Sequence, residues 1–317
     1  MFNKILKLND KYKINAHPFL KWAGGKSQLI NKITDLIPKG ILNSNFTYIE
    51  PFVGGGAILF WILRNYPDRK IVINDINADL MNVYRVIQTK PKALIKILNE
   101  LEQKYYSAER FEEKKRKNYY KNRDLFNERT SDNISQAALL IFLNKTCFNG
   151  LYRVNRNNQF NVPIGNYKRP KICNAENILS VSEALKNVKI LNGDFENTFS
   201  YANNNTFFYL DPPYKPLSNT SNFNTYSKDN FDDNEQIRLR DFCVRLSQAG
   251  YTWILSNSDV KLENNNSSFF DEIYSEFKII RVTAKRIISA NPSKRGQLKE
   301  LIITNYNNEQ TLSAASM

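Results

Sequence analysis

FTYIEPFVGGGAILFWIL at residues 46–63, followed by KIVIND at residues 70–75, is the stretch that decides the fold. Phe46 to Glu50 is a short apolar and aromatic run with the composition of a buried strand. It enters the turn Pro51-Phe52-Val53-Gly54-Gly55-Gly56, after which Ala57 to Leu63 reads as a helix. Lys70 to Asn74 is a second apolar strand and ends in Asp75. Strand, turn, helix and strand in this order form the βαβ unit of a doubly wound parallel sheet, so the fold class is α/β. Glycines in the first βα turn let the backbone pass close to a bound cofactor. A carboxylate at Asp75, about 20 residues after the glycines, can accept hydrogen bonds from ribose hydroxyls.

Taken alone, this unit fits NAD, FAD or S-adenosylmethionine. The pyrophosphate-binding GxGxxG spacing is absent, because Gly54, Gly55 and Gly56 are adjacent and no glycine follows in the helix. That favours a cofactor without pyrophosphate and disfavours a Rossmann-type oxidoreductase. An earlier glycine pair, in Trp22-Ala23-Gly24-Gly25-Lys26, resembles a truncated P-loop but lacks the leading glycine at the required spacing.

Outward from this unit the pattern changes. From Asp79 to Leu143 strand signals give way to helical periodicity, including the EEKKRK run at 112–117, which reads as a solvated helix face. Strand signals return at Val188 to Leu191, Thr206 to Leu210, Tyr251 to Leu255, Phe277 to Val282 and Leu301 to Thr304. Asn234 to Gln248 is an amphipathic helix that stops at Gly250. The chain therefore divides into a discontinuous sheet domain, 1–84 and 176–306, and a mostly helical insertion, 85–175. Residues 307–317 form a polar tail expected to fray.

Asp211-Pro212-Pro213-Tyr214 directly follows the apolar strand TFFYL. The prolines fix φ and remove two N–H donors, which makes a stiff loop where doubly wound folds place ligands. An exocyclic amine on a planar ring is a poor nucleophile, because its lone pair is delocalised. A carboxylate and a backbone carbonyl aimed at its N–H bonds favour a pyramidal nitrogen. Asp211 can supply the first and Pro212 the second. Tyr214 offers a face on which a base turned out of a duplex can stack.

Composition bounds the alternatives. The chain has 317 residues and 42% hydrophobic content, enough for a large domain with an insertion. No apolar run reaches a membrane span, and the Lys-rich N-terminus has no signal-peptide core. Cys147, Cys173 and Cys243 form no CxxC pair, which argues against a disulfide framework or zinc site and fits a reducing cytoplasm. With a single histidine, His17, a histidine base or His-rich metal cluster is not expected, and no metal is assigned. A net charge of +14 suggests a polyanionic partner, nucleic acid first, though a Lys- and Asn-rich proteome would give the same excess.

FLKWAGGK (19–26), EPFVGGGA (50–57), NDIN (74–77), FNGLYRVN (148–155), QFNVPIGNY (159–167), DPPYKPLS (211–218) and LSNSD (255–259) together resemble the Dam/DpnM family of DNA N6-adenine methyltransferases, in the α order of amino-methyltransferases. The resemblance spans Phe19 to Tyr306. It implies a Rossmann-like, S-adenosylmethionine-dependent methyltransferase sheet, with the insertion as target-recognition domain. Trp22, Lys26, Gly54, Asp75, Asp194 and Asp211 would hold S-adenosylmethionine, and Asp211, Pro212 and Tyr214 would carry the transfer. Lys21, Asn149, Leu151, Arg153, Pro163 and Tyr167 would contact double-stranded DNA, with Arg153 reading a guanine and GATC as the target word. A monomer is implied, without membrane or metal, with a cognate restriction endonuclease as candidate partner. Ser218 to Phe223 is expected to close over a flipped adenine. Ser293 to Gly296 reads equally as a phosphate-contacting tip or a solvated one. Cytosine N4 or RNA adenine as target, and an inactive DNA-binding relative, are the competing functions.

Overall fold

In the apolar runs of this chain, successive side chains point to opposite faces and both faces are covered. The computed structural model describes residues 15–22, 26, 29–108, 111–214, 231–259, 268–285 and 297–307. Its strands are β1 (Thr47–Glu50), β2 (Lys70–Ile73), β3 (Lys189–Ile190), β4 (Thr206–Leu210), β5 (Thr252–Ser258), β6 (Lys278–Lys285) and β7 (Gln297–Thr304). They form one seven-stranded sheet in the order β3-β2-β1-β4-β5-β7-β6. Strands β1 to β5 are mutually parallel, and β7 runs antiparallel to both β5 and β6.

Tyr48, Ile71, Ile73, Phe207, Tyr209 and Ile254 pack into one core, while Ile49, Val72, Phe208, Leu210, Trp253 and Leu255 pack into another on the opposite face. Each such side chain, fully buried, contributes ~1.5–3 kcal/mol, which is why the strand composition dominates local preference.

The helices are α1 (Ile30–Leu36), α2 (Lys39–Leu42), α3 (Ala57–Asn65), α4 (Ala78–Thr89), α5 (Pro91–Ser107), α6 (Glu112–Glu128), α7 (Asn133–Thr146), α8 (Ala175–Leu185), α9 (Asp233–Gln248) and α10 (Phe269–Ile273). Their starts carry local signals. Asn77 caps α4 by accepting from Leu80 N–H at 3.0 Å, Asp132 caps α7, and Asp232 caps α9. Pro91 stands at the start of α5. Gly250, with φ +76°, ends α9 in the left-handed region expected of it.

Helices α4 to α7 occupy the stretch where strand signals vanish. Helix α7 is buried on nearly every face from Gln136 to Asn144, so it is the core of the insertion rather than an amphipathic cover. Helix α4 runs unbroken across residue 85 and packs on both α7 and α8. The core on its side of the sheet is therefore shared with the insertion: Phe60 and Tyr84 belong to the same cluster as Leu140 and Phe142.

Two strands extend beyond their apolar runs. Strand β5 continues through Ser256, Asn257 and Ser258, and β7 begins before Leu301 and includes Glu300. These polar residues are buried at the carboxyl end of the parallel strands. Burial of unpartnered polar groups is costly, so their partners mark the place where the fold does something besides pack.

Candidate active site

Strand order reverses between β1 and β4, whose neighbours β2 and β5 lie on opposite sides. Outside the carboxyl ends of two such strands a crevice opens, and ligands bind there. Here the crevice is a cavity of about 770 Å³. Trp22, Lys26, Gly54, Asp75, Asp194, Asp211, Pro212 and Tyr214 all line it.

The turn after β1 is fixed by backbone and side-chain ties. Gly54 N–H donates to Asp75 Oδ2 at 3.0 Å, and Asn77 N–H donates to Asp75 Oδ1 at 2.9 Å. Asn74 Nδ2 donates to the Pro51 and Gly193 carbonyls at 3.0 and 2.9 Å, joining the turns after β1 and β3. Gly56 has φ +72°, and a Cβ there would lie 2.6 Å from Tyr84 Oη, so both conformation and space require glycine. Burial pushes the Asp75 carboxyl up to about 6, against the pull of its two N–H donors.

On the other side of the switch point, Lys26 Nζ lies 2.8 Å from Asp211 Oδ1 and is itself almost fully buried. Ser256 Oγ donates to the same oxygen at 3.1 Å, and Ser256 in turn pairs with Tyr209 Oη at 3.0 Å. Burial raises the proton affinity of Asp211, while the Lys26 ammonium and the Ser256 hydroxyl pull it back. Lys26 Nζ also sits over the Tyr214 ring, 4.3 Å from its centroid. Tyr214 Oη donates to Glu300 Oε2 at 2.8 Å. Gln236 of α9 donates to the Pro213 carbonyl at 3.1 Å and is held by Asn257 Nδ2 at 3.1 Å. Among the described residues no donor meets the Pro212 carbonyl, whereas the Pro213 carbonyl is taken by Gln236.

Glu300, Ser256, Gln236 and Arg238 belong to the site and were not expected from sequence. Arg238 binds Asp194 at 2.7 and 3.1 Å and lies over the Phe195 ring at 4.3 Å. Burial works to raise the Asp194 carboxyl, but Arg238 and the Glu196 N–H outweigh it and hold it below its ordinary value. Asp194 thus caps the turn at Phe195–Tyr201 as well as lining the cavity. Ile76, among the few large apolar side chains left exposed, also lines it, beside Phe52 and Phe231.

The six residues expected to meet DNA lie outside this cavity. Asn144, buried at the end of α7, accepts from Lys21 N–H at 2.9 Å and donates to the Lys21 and Gly150 carbonyls at 2.8 and 2.9 Å. Lys21 Nζ lies over the Tyr167 ring at 5.0 Å. Phe148 N–H donates to the Pro163 carbonyl at 2.9 Å, and Asn149 is left-handed with φ 55° and exposed. Arg153 Nε donates to Asn161 Oδ1 at 2.7 Å. Leu151 is half-buried between Gly150 and Tyr152, and its carbonyl accepts from Cys147 Sγ at 3.1 Å.

Ser218 to Phe223, Ser293 to Gly296 and residues 308–317 lie outside the described residues. Among those described, no group of three His, Cys, Asp or Glu could hold a metal ion, and no helix is long and apolar enough to cross a membrane.

A doubly wound sheet carrying an antiparallel β7 thus sets a large cavity at its switch point and a lysine-held carboxylate on a Pro-Pro loop, an arrangement consistent with a methyltransferase fold. The family described as D12 class N6 adenine-specific DNA methyltransferase matches residues 22–288. The chain belongs to that family, whose reaction is methylation of adenine N6 in DNA. It is 47% identical over 297 residues to type II methyltransferase M.MjaIII of Methanocaldococcus jannaschii, covering 92% of this chain and all of that one. It is 40% identical to type II methyltransferase M1.LlaDCHI of Lactococcus lactis subsp. cremoris, covering 96% of this chain and all of the relative. The DNA adenine methylase of Haemophilus influenzae is 34% identical, over 93% of this chain and 96% of its own length. An adenine-specific DNA family decides against the cytosine, RNA and oxidoreductase alternatives.

Proposed function

We propose that this enzyme takes its methyl group from S-adenosylmethionine and delivers it to an adenine turned out of a DNA duplex, within GATC. The observation that carries the reading is the Lys26–Asp211 pair at 2.8 Å on the wall of a cavity that also holds Trp22 and Asp75.

The cavity suits the donor. Asp75 offers its remaining acceptor capacity to ribose hydroxyls, while Ile76, Phe52 and Phe231 give an apolar slot for a purine, flanked by Asp194. Gly54 and Gly55 bring the backbone beside Trp22, and Asp211 and Lys26 meet the zwitterionic end. When bound, S-adenosylmethionine supplies an electrophilic methyl on a sulfonium.

The chain's own groups prepare the acceptor. Lys26 and Ser256 both address Asp211 Oδ1, so Oδ2 is directed to one amine N–H. The Pro212 carbonyl, facing no described donor, takes the other. Both polarise the amine toward a pyramidal nitrogen and stabilise the positive charge that develops on it, as preorganised dipoles do. Glu300 and Lys26 fix the Tyr214 ring, against which a flipped base stacks, worth ~1–3 kcal/mol.

We assign residues 85–175 as the target-recognition domain of a discontinuous catalytic domain. Arg153 exchanges its Asn161 contact for a guanine edge, with Lys21, Asn149, Leu151, Pro163 and Tyr167 lining the same surface. The net charge of +14 suits the duplex, and the type II names of two relatives favour a cognate restriction endonuclease as partner. The enzyme acts as a monomer in the cytoplasm.

Duplexes carrying GATC or single-base variants of it, incubated with S-adenosylmethionine, test the word. N6-methyladenine is expected in GATC alone. Equal methylation of the variants would remove GATC from the proposal, and no methylation with this donor would remove the donor.

A further inference from the structure

One aromatic pair joins the cavity to the recognition surface. Trp22 lies against the glycine turn: a Cβ at Gly54 would come 3.0 Å from Trp22 Cδ1, and one at Gly55 2.9 Å from Trp22 Cβ. The Trp22 ring stacks on Tyr152, with centroids 5.2 Å apart and planes at 25°. Tyr152 is buried, 3% exposed, and stands in sequence between Leu151 and Arg153.

The far end of Tyr152 is tied as well. Its hydroxyl donates to Asp79 Oδ2 at 3.1 Å, and Asp79 Oδ1 pairs with Arg129 NH1 at 2.8 Å. Arg129 NH2 donates to the Asn158 carbonyl at 3.0 Å, which closes the connection on the 155–159 turn. Asp79 sits in the first turn of α4, two residues after Asn77, whose N–H holds Asp75. The same helix carries Tyr84, whose hydroxyl donates to the Gly54 carbonyl at 3.1 Å. Tyr152 therefore contacts the cofactor side through its ring and α4 through its hydroxyl, while its backbone sets the placement of Leu151 and Arg153.

We infer that Tyr152 is a positioning residue that couples the two binding events: occupation of the cavity beside Trp22 fixes the Leu151–Arg153 segment, and the matched duplex fixes Trp22 in return. The inference rests on the proposed function, which assigns the cavity to the methyl donor and Arg153 to base readout. Tyr152 is not among the residues that line the cavity. A ligand shifts an equilibrium only through its different affinity for two arrangements, and the coupling so produced is reciprocal.

The test measures duplex affinity with and without saturating S-adenosylhomocysteine, for GATC and scrambled duplexes, in wild type, Tyr152→Phe and Tyr152→Leu. In the wild type, S-adenosylhomocysteine is expected to tighten GATC binding by about 5–50-fold, and the duplex to tighten S-adenosylhomocysteine binding by the same factor. Tyr152→Leu removes ring and hydroxyl, and both factors are expected to fall to about 1, with binding of S-adenosylhomocysteine alone changed less than about threefold. Tyr152→Phe keeps the stack and the packing and loses the hydroxyl's ties to Asp79 and Asn77, so an intermediate factor is expected. A merely structural tyrosine would weaken each ligand separately and leave the ratio intact.

Retention of the wild-type factor in Tyr152→Leu, or in Tyr152→Phe should the leucine variant not fold, overturns the inference. So does a wild-type factor of 1. A wild type that fails to bind S-adenosylhomocysteine, or to prefer GATC, overturns the proposed function and the inference with it. That failure is visible before any variant is made.

Discussion

The cavity at the sheet's carboxyl end and the segment at 147–167, proposed above to meet DNA, are held by different means. Around the cavity the ties come from the sheet itself: Asn74, Asp75 and Asp211 follow strands by one or two residues, and their partners are backbone N–H groups and carbonyls, a buried lysine and strand β5. In that segment, regular structure reduces to the 3-10 turn Phe148–Gly150 and two isolated bridges, Cys147 with Ile164 and Val154 with Phe160. Scattered backbone pairs, such as Phe148 N–H with the Pro163 carbonyl, and single side chains do the rest: Asn144 under Lys21 and Gly150, Asn161 under Arg153, Tyr119 on the Val162 carbonyl at 2.7 Å. The carboxyl end of a sheet fixes chemistry that must not vary, whereas a loop held by exchangeable contacts can be altered without loss of the fold. Substitutions on the two sides should therefore fail in different ways.

The largest contrast is expected at Lys26. Lys26→Met removes the counter-charge from Asp211, and methyl transfer should drop by about 10²–10³-fold, the scale of one lost electrostatic stabiliser. Burial, opposed by the Ser256 hydroxyl but no longer by the lysine, then lets the Asp211 carboxyl hold its proton to higher pH, so the acid limb of the rate profile should move upward. Single-turnover rates across pH check both. An unchanged limb would mean that Lys26 does not control Asp211.

Arg153→Ala should fail in the opposite manner. Discrimination for the guanine should weaken by ~1–3 kcal/mol, while donor affinity without DNA stays as in the wild type. Competition between matched and mismatched duplexes reads the first and donor titration the second. A loss confined to donor affinity would break the division between the two regions.

The smallest effect is a pH dependence that belongs to the cavity alone. Asp75 holds its proton up to about 6, above the ordinary 3.8. Hydroxyl donors on the ribose favour the ionised form, so donor affinity should be constant above about 6 and decline below it, by at most about tenfold per unit. The sign for stability is the reverse. An acid whose folded pKa is raised stabilises the fold below 3.8, and that contribution is lost as pH rises to about 6. Asp75→Asn should flatten the affinity curve, as titration calorimetry at several pH values would measure; a slope that survives the substitution assigns it to another group.

The same division explains what the sequence made legible. β1, β2 and β4 lie within one residue of their apolar runs, because a strand buried on both faces writes itself as unbroken hydrophobicity. The glycine turn, Asp75 and Asp211 were legible because chemistry and backbone geometry there demand particular residue types. Ser256, Asn257 and Glu300 were not, since polar residues end an apolar run by pattern although β5 and β7 continue through them. The motif LSNSD was the only pointer to Ser256. Gln236 and Arg238 lie on a helix whose polar positions read as solvent-facing, yet Gln236 is fully buried on the Pro213 carbonyl. Tyr152 is hidden inside a recognition motif, and its stack on Trp22 joins residues 130 positions apart, a distance no local pattern spans.

The account depends most on Asp211. Wild-type enzyme and Asp211→Ala, each given S-adenosylmethionine and a duplex with one GATC site, can be compared by mass spectrometry of the adenine in that site. The account predicts N6-methyladenine from the wild type, and from the variant a rate lower by at least about 10²-fold while the duplex still binds. Full methylation by Asp211→Ala would contradict it.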